Sequence, residues 1–227
     1  MTTGRPTATA PEPAQPGHVL LKAGREHGWQ VALTRLHALA GAETILVGPA
    51  GHAVLCPQAS RTAVRLRVGT TFLARDRARE QALPVPVTGV VALRVGTRPA
   101  AADPYPWATV LAGLRLGLSQ GLLDRAVAHL GRRSTGGQPL LRHQALQVAV
   151  ADLVIEHLEI GCELDSAEGL DPAAAADLHR RITRADRSLL HLFGAHGYEL
   201  DGPAATGYVS ELLADAYGDA RSEAVPA

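Results

Sequence analysis

The sequence predicts an α+β fold, with a short antiparallel β region followed by a four-helix up-down bundle. Two observations carry this. Between Trp29 and Arg98, short apolar runs rich in Val, Leu, Ile and Thr are separated by Gly, Pro and polar residues, the texture of half-buried strands. From Trp107 onward the apolar spacing becomes three and four residues and stays so through four successive segments joined by short links, the pattern of antiparallel packed helices.

In chain order, residues 1–17 are rich in Pro, Ala and Thr and read as a flexible tail. A short helix is expected from His18 to about Gly28. Strands are expected at Gln30–Leu33, Thr44–Val47, Ala53–Cys56, Ala63–Val68, Thr70–Leu73 and Gly89–Val95, making residues 18–100 an abbreviated β-domain. In Ala63–Val68 alternation sets Val64, Leu66 and Val68 on one face and two arginines on the other, as in a half-buried sheet or partial barrel. Pro84 and Pro86 restrict the approach to the last strand.

Residues 101–218 are expected to form the bundle, after a linker at 100–106. The first helix, Trp107–His129, carries Val110, Leu111, Leu114, Leu118 and Leu122, with Ala112, Gly113 and Gly117 allowing close packing. The second, Leu140–Glu163, presents Leu146, Val150, Leu153, Val154 and Leu158. Asp171 and Pro172 supply the cap and first-turn proline of the third. That helix runs to Phe193 with Leu178, Ile182, Ala185 and Leu189 inward, and Gly194 stops it. The fourth, Thr206–Tyr217, brings Val209, Leu212, Leu213 and Ala216. Residues 219–227 read as a frayed tail.

Composition narrows the function classes. Hydrophobic residues are 46% and charged residues 19%, which is globular. A formal net charge of zero gives no bulk field for nucleic acid or an anionic membrane surface. No apolar run reaches membrane-spanning length, and the N-terminus has no apolar core of a secretory signal. Two cysteines, Cys56 and Cys162, make neither a disulfide framework nor a zinc set. They read as small core residues of a reduced, cytoplasmic protein. Arg180, Arg181, Arg184 and Arg187 read as a solvated helix face.

Three stretches in order then carry a family likeness. Ala112–Leu153 contains a helix, the turn Arg133-Ser134-Thr135-Gly136-Gly137-Gln138-Pro139-Leu140, and a second helix. Leu190–Pro203 reads LHLFGAHGYELDGP, and Ala42-Glu43-Thr44-Ile45-Leu46-Val47 opens a strand. These resemble the Arg-x-x-Phe-Gly-x-Pro-Leu turn, the Gln-x-x-Gly-Gly-x-Gly-Tyr segment and the Ala-Asp-x-x-Leu-Val strand of the acyl-CoA dehydrogenases. The bundle is therefore expected to be of acyl-CoA dehydrogenase type.

The resemblance implies a flavoprotein that oxidises an acyl thioester, on CoA or on a carrier, at the α,β bond. FAD would accept the hydride while a carboxylate removes the α-proton. It implies that Arg133 meets the FAD pyrophosphate and that Gln144 sits close by. His191 stands where the family has Gln, and Gly194 and Gly197 would let the cofactor approach. Such sites straddle subunits, so a homo-oligomer, or a hetero-oligomer with a longer homologue, is expected.

The departures point the other way. The family's N-terminal helical domain has no counterpart, the turn's Phe is Gly136, and the second Gly of the Gly-Gly pair is Ala195. The family's late catalytic Glu falls near Ala220 and the early one at Trp107. Asp219, one residue from the late position, is the candidate base. The alternatives are a non-catalytic partner subunit that has lost FAD, and a different enzyme acting on a carrier-bound acyl group.

Overall fold

The computed structural model describes residues 15–96, 107–166 and 170–218. Helix α1 (Pro16–Ala40) leads into β1 (Thr44–Val47), β2 (His52–Leu55), the short α2 (Pro57–Thr62), β3 (Arg65–Val68), β4 (Thr71–Ala74), β5 (Glu80–Leu83) and β6 (Val91–Val95). Then come α3 (Trp107–Arg132), the small hairpin β7 (Ser134–Thr135) and β8 (Gln138–Pro139), α4 (Gln144–Ser166), α5 (Pro172–Leu192) and α6 (Pro203–Tyr217).

The helical half follows the expected pattern. Asp171 caps α5 by accepting from the Ala173 and Ala174 amides at 2.8 and 2.9 Å, which satisfies two of the helix's free N–H donors. Leu178, Ile182, Ala185 and Leu189 are buried along that helix, and Val209, Leu213 and Ala216 along α6. The second bundle helix is rotated from its expected face. It buries Leu153, His157, Ile160 and Leu164, while Val154 and Leu158 are exposed.

The N-terminal region differs most. Pro16 and Gly17, expected in the tail, open α1, with proline in its first turn. The expected strand Gln30–Leu33 is helical. Gly28 (φ 76°, ψ −175°) breaks α1, and a second helical stretch then carries Trp29, Ala32, Leu33, Leu36, His37 and Ala40 into the core. That spacing is helical, and the buried stripe overrides the β texture.

Helix α1 lies along α3 at backbone contact distance. A Cβ on Gly117 would sit 2.0 Å from the Leu21 carbonyl oxygen, and one on Gly113 2.7 Å from that of Gly17. One core joins Leu20, Leu33 and Leu36 of α1 to Leu46 and Val54 of the strands, Leu111 and Leu114 of α3, and Val209 and Leu213 of α6. The expected boundary at residue 100 falls outside the described residues, and this core spans both sides of it.

The strands form two three-stranded sheets, ordered β1-β3-β4 and β2-β6-β5. All pairs are antiparallel except β1 with β3, which run parallel because α2 lies between β2 and β3 and carries the chain back. Ile45, Val47, Leu55, Leu66, Val68, Leu93 and Val95 fill the space between them. Leu66 and Val68 point inward as expected, but Val64 is 56% exposed, since β3 begins only at Arg65. Strand β5 was not expected. Its four residues Glu80–Leu83 bury little, and pairing with β6 rather than burial defines it. Cys56 is buried as expected, whereas Cys162 is exposed.

The C-terminal end of α6 locks onto the sheets. The Tyr217 hydroxyl accepts from the Val54 amide at 3.0 Å and lies 3.2 Å from the Leu46 carbonyl, to which it donates. His37 makes a similar tie from α1. Its Nδ1 accepts from the Leu46 amide at 3.1 Å, and its Nε2–H donates to the Val54 carbonyl at 2.9 Å.

Candidate functional site

At one end of the bundle, the last turn of α3 runs into the β7–β8 hairpin through Arg133. The Arg133 amide donates to the His129 carbonyl at 3.2 Å, and the Leu140 amide returns to the Arg133 carbonyl at 2.7 Å. Gly136 (φ 56°) and Gly137 (φ 80°) make the reversal, a backbone shape that glycine adopts without a Cβ clash. The Arg133 side chain is exposed and has no ion pair among the described residues.

The second element is the 3₁₀ turn Gly194–Tyr198, which follows α5. Gly194 holds φ 60°, and an added Cβ there would meet nothing within 4 Å. Gly197 is required for a different reason: a Cβ would fall 2.1 Å from the Leu190 carbonyl oxygen. Its smallness therefore serves internal packing of this turn.

His129 joins the two elements. Its ring lies 5.3 Å from that of Phe193 and stacks on His196 at 5.6 Å. His196 Nδ1 in turn lies 2.8 Å from the Glu199 carboxylate. Burial, then the charges of Arg133, His196 and Arg132, hold the His129 imidazole below its ordinary range. His191 is exposed, with Nδ1 3.0 Å from the Tyr198 hydroxyl. Arg133, Gly194 and Gly197 thus gather around one corner, and His191 lies beside it on the last turn of α5. Gln144 is exposed at the first residue of α4, beyond the hairpin, and no hydrogen bond ties it to the others among the described residues. The His129–His196–Phe193 stack was not anticipated. The only trace of it in the sequence is the clustering of histidines at the ends of two helices.

Neither family position carries a carboxylate in the sequence, and the late one, near Ala220, lies outside the described residues. Asp219 lies outside the described residues. Trp107, the early position, is partly buried against the main core, with the Arg67 guanidinium 5.2 Å from its ring centroid. Among the described residues no group of His, Cys, Asp or Glu could hold a metal ion, and no helix is long and apolar enough to cross a membrane.

A second polar constellation lies inside the bundle. Arg115 on α3 is fully buried. It donates to Ser210 Oγ at 3.1 Å, to Thr183 Oγ1 at 2.7 Å, and to both the carbonyl and Nδ1 of His179 at 3.0 Å. His179 Nε2–H donates to the Ala108 carbonyl at 3.2 Å. Asp186 is also buried, and neither carboxylate oxygen reaches a hydrogen-bond partner. Burial pushes its pKa up to about 6, against the pull of Arg115. Ser119 pairs with His157 at 2.9 Å. This network is enclosed by α3, α4, α5 and α6 and ties these helices together.

No protein-family profile matches the chain. Its fold is that of the acyl-CoA dehydrogenases. In sequence it is 30% identical, over an alignment of 105 positions, to cyclohexane-1-carbonyl-CoA dehydrogenase of Geobacter metallireducens. That match covers 39% of this chain and 26% of the relative, so it spans about a quarter of that protein's length. The ChsE4-ChsE5 complex of Mycobacterium tuberculosis is similar in structure, with TM-score 0.57 and 17% identity over 88% of this chain and 75% of that one. The Tcur3481-Tcur3483 steroid acyl-CoA dehydrogenase variant gives TM-score 0.54 at 21% identity, covering 75% of this chain and 57% of that one. A glutaryl-CoA dehydrogenase of Mycobacterium smegmatis in complex with FADH2 gives 0.53 at 13%, over 87% and 68%.

Proposed function

We propose that this chain is a subunit of an acyl-CoA dehydrogenase-like flavoprotein and supplies one half of an FAD site that an oligomer completes. The observation that supports this is the corner where the Arg133 hairpin and the Gly194–Tyr198 turn are held together by His129. Arg133 is an exposed cation beside glycine turns open to solvent, which suits a pyrophosphate and the edge of a planar ring system. Bound FAD would supply the hydride acceptor for α,β-oxidation of an acyl thioester. The residues of this chain contribute charge, a turn without side-chain obstruction and a stacked pair of imidazoles. A corner so open needs a second protein surface to exclude water. The substrate is an acyl group on CoA or on a carrier protein.

Trp107 favours a second reading, a partner subunit without its own catalytic base. An indole cannot take the α-proton, and Arg67 already covers its face. Anaerobic addition of acyl-CoA thioesters to FAD-loaded protein separates the two readings. Loss of absorbance near the flavin's long-wavelength band is expected if Asp219 or a second copy supplies the base, and Asp219→Asn then abolishes it. A flavin that stays oxidised with every thioester, but bleaches once a full-length homologue is added, establishes the partner reading.

A further inference from the structure

We infer that His129 is an anion-binding residue of the corner beside Arg133, and that its imidazole takes up a proton from solvent when a pyrophosphate diester binds there. The identity of the ligand rests on the flavin site proposed above. The residue and the proton go beyond it.

His129 sits half-buried on the last turn of α3. Ring contacts alone hold it. It lies tilted against Phe193 at 5.3 Å and stacks on His196 at 5.6 Å, with 14° between the planes. Among the described residues neither of its ring nitrogens has a hydrogen-bond partner. His37, His157, His179, His191 and His196 each bond through at least one nitrogen. A ring fixed only by its faces keeps both nitrogens for a ligand. As imidazole it offers one donor, and as imidazolium two. Residues four apart on a helix stand about 5–6 Å apart at Cβ, so His129 and Arg133 can meet the same anion.

Charge decides whether the second donor is present. Facing His129 are Arg133 and Arg132 from its own end of α3 and His196 from the turn after α5. The 3₁₀ turn Leu140–Arg142, packed on the end of α3, adds Arg142. His191, on the last turn of α5, is bonded to Tyr198, and the Glu199 carboxylate is bonded to His196. Burial and these cations oppose a proton on His129 while no anion is bound. A pyrophosphate diester brings two negative charges and reverses that balance, since an opposite charge within about 4–6 Å favours the charged form. The carbonyl end of α3 is the negative pole of the helix. It repels an anion and attracts a proton on His129, so the imidazolium offsets the pole. Binding and protonation therefore strengthen each other.

Isothermal titration calorimetry on the full chain tests this with FAD and with ADP-ribose, two pyrophosphate diesters whose phosphates stay ionised near neutral pH. Each is titrated at pH 6 in two buffers of different ionisation enthalpy, which gives the protons taken up on binding. Uptake of a large fraction of one proton is expected. Affinity is expected to be about tenfold tighter at pH 6 than at pH 8, the factor for a shift of one pKa unit. His129→Phe keeps a ring against Phe193 and His196 and removes the titrating group. It is expected to bind without proton uptake and to lose the pH dependence. In wild type, the His129 ring-proton signals followed by NMR should titrate at higher pH once ADP-ribose is bound. Wild type that binds either ligand without proton uptake overturns the role of His129 and leaves the flavin site standing, as does uptake undiminished in a folded His129→Phe variant. ADP-ribose bound with a proton while FAD is refused supports His129 and overturns the flavin site. Protein that binds neither ligand, alone or in complex with a full-length acyl-CoA dehydrogenase, overturns both.

Discussion

Acidification from pH 7 to pH 4 is expected to unfold this protein. His37, His157 and His179 are each held down to about 4, first by burial. For two of them the hydrogen bonds give the reason. His37 Nδ1 accepts from the Leu46 amide and His179 Nδ1 accepts from Arg115, so a proton on either nitrogen would set donor against donor. The unfolded chain takes up these protons near the ordinary histidine value of about 6.5. The stability they contribute is therefore fully present above about pH 6.5 and is lost as pH falls toward 4. Each contributes on the order of 3 kcal/mol.

Asp186 acts in the opposite sense. Its carboxyl is raised to about 6, so its contribution grows as pH falls from 6 and is complete below the ordinary Asp value. That returns on the order of 3 kcal/mol. The net loss, on the order of 6 kcal/mol, rivals the stability of a typical domain. Melting temperatures by circular dichroism at half-unit pH steps should fall steeply below pH 6.5. His37→Gln keeps a donor and an acceptor and should make the fall shallower. A flat profile between pH 7 and 4.5 would contradict these assignments.

Asp186→Leu is expected to cost about 3–5 kcal/mol at neutral pH, because it removes the carboxylate that most offsets the buried Arg115 charge and leaves only the weaker fields of Glu211 and Asp215. Arg115→Met should cost a similar amount, by stranding Asp186 and freeing Ser210, Thr183 and His179 from their shared donor. The double substitution Arg115→Met/Asp186→Leu should cost less than either single one, since apolar side chains of similar volume replace a buried pair at little net cost. Urea denaturation of the four proteins measures the coupling. Additive losses would show that the two groups do not act together.

The bundle was legible because its buried positions repeat at helical spacing and its caps are chemical: Asp171-Pro172 starts α5 and Gly194 ends it. The helical stretch after Gly28 was missed because Val31, Leu33 and Thr34 have strand composition. Its stripe, Trp29 to Ala40, shows only when the window extends past Leu33. The face of α4 was misjudged because both of its sides are apolar. Periodicity gives a spacing and does not say which side meets the core. At the site, the Arg133 turn and Gly194 were visible as motifs, but the His129–His196 stack that joins them depends on tertiary contact between α3 and the turn after α5. The buried Arg115 and Asp186 were equally hidden, since charged residues on an amphipathic helix ordinarily face water.

We propose that the corner built by Arg133, His129 and Gly194–Tyr198 forms half of a flavin site. The visible absorption spectrum of the purified protein, taken after incubation with FAD and desalting, tests it most directly. A retained flavin spectrum is expected for the assembled wild type, and its loss in Arg133→Ala at unchanged oligomer size and melting temperature. A wild type that stays colourless, both alone and with a full-length acyl-CoA dehydrogenase partner, would contradict it. So would an Arg133→Ala variant that holds FAD as tightly as wild type.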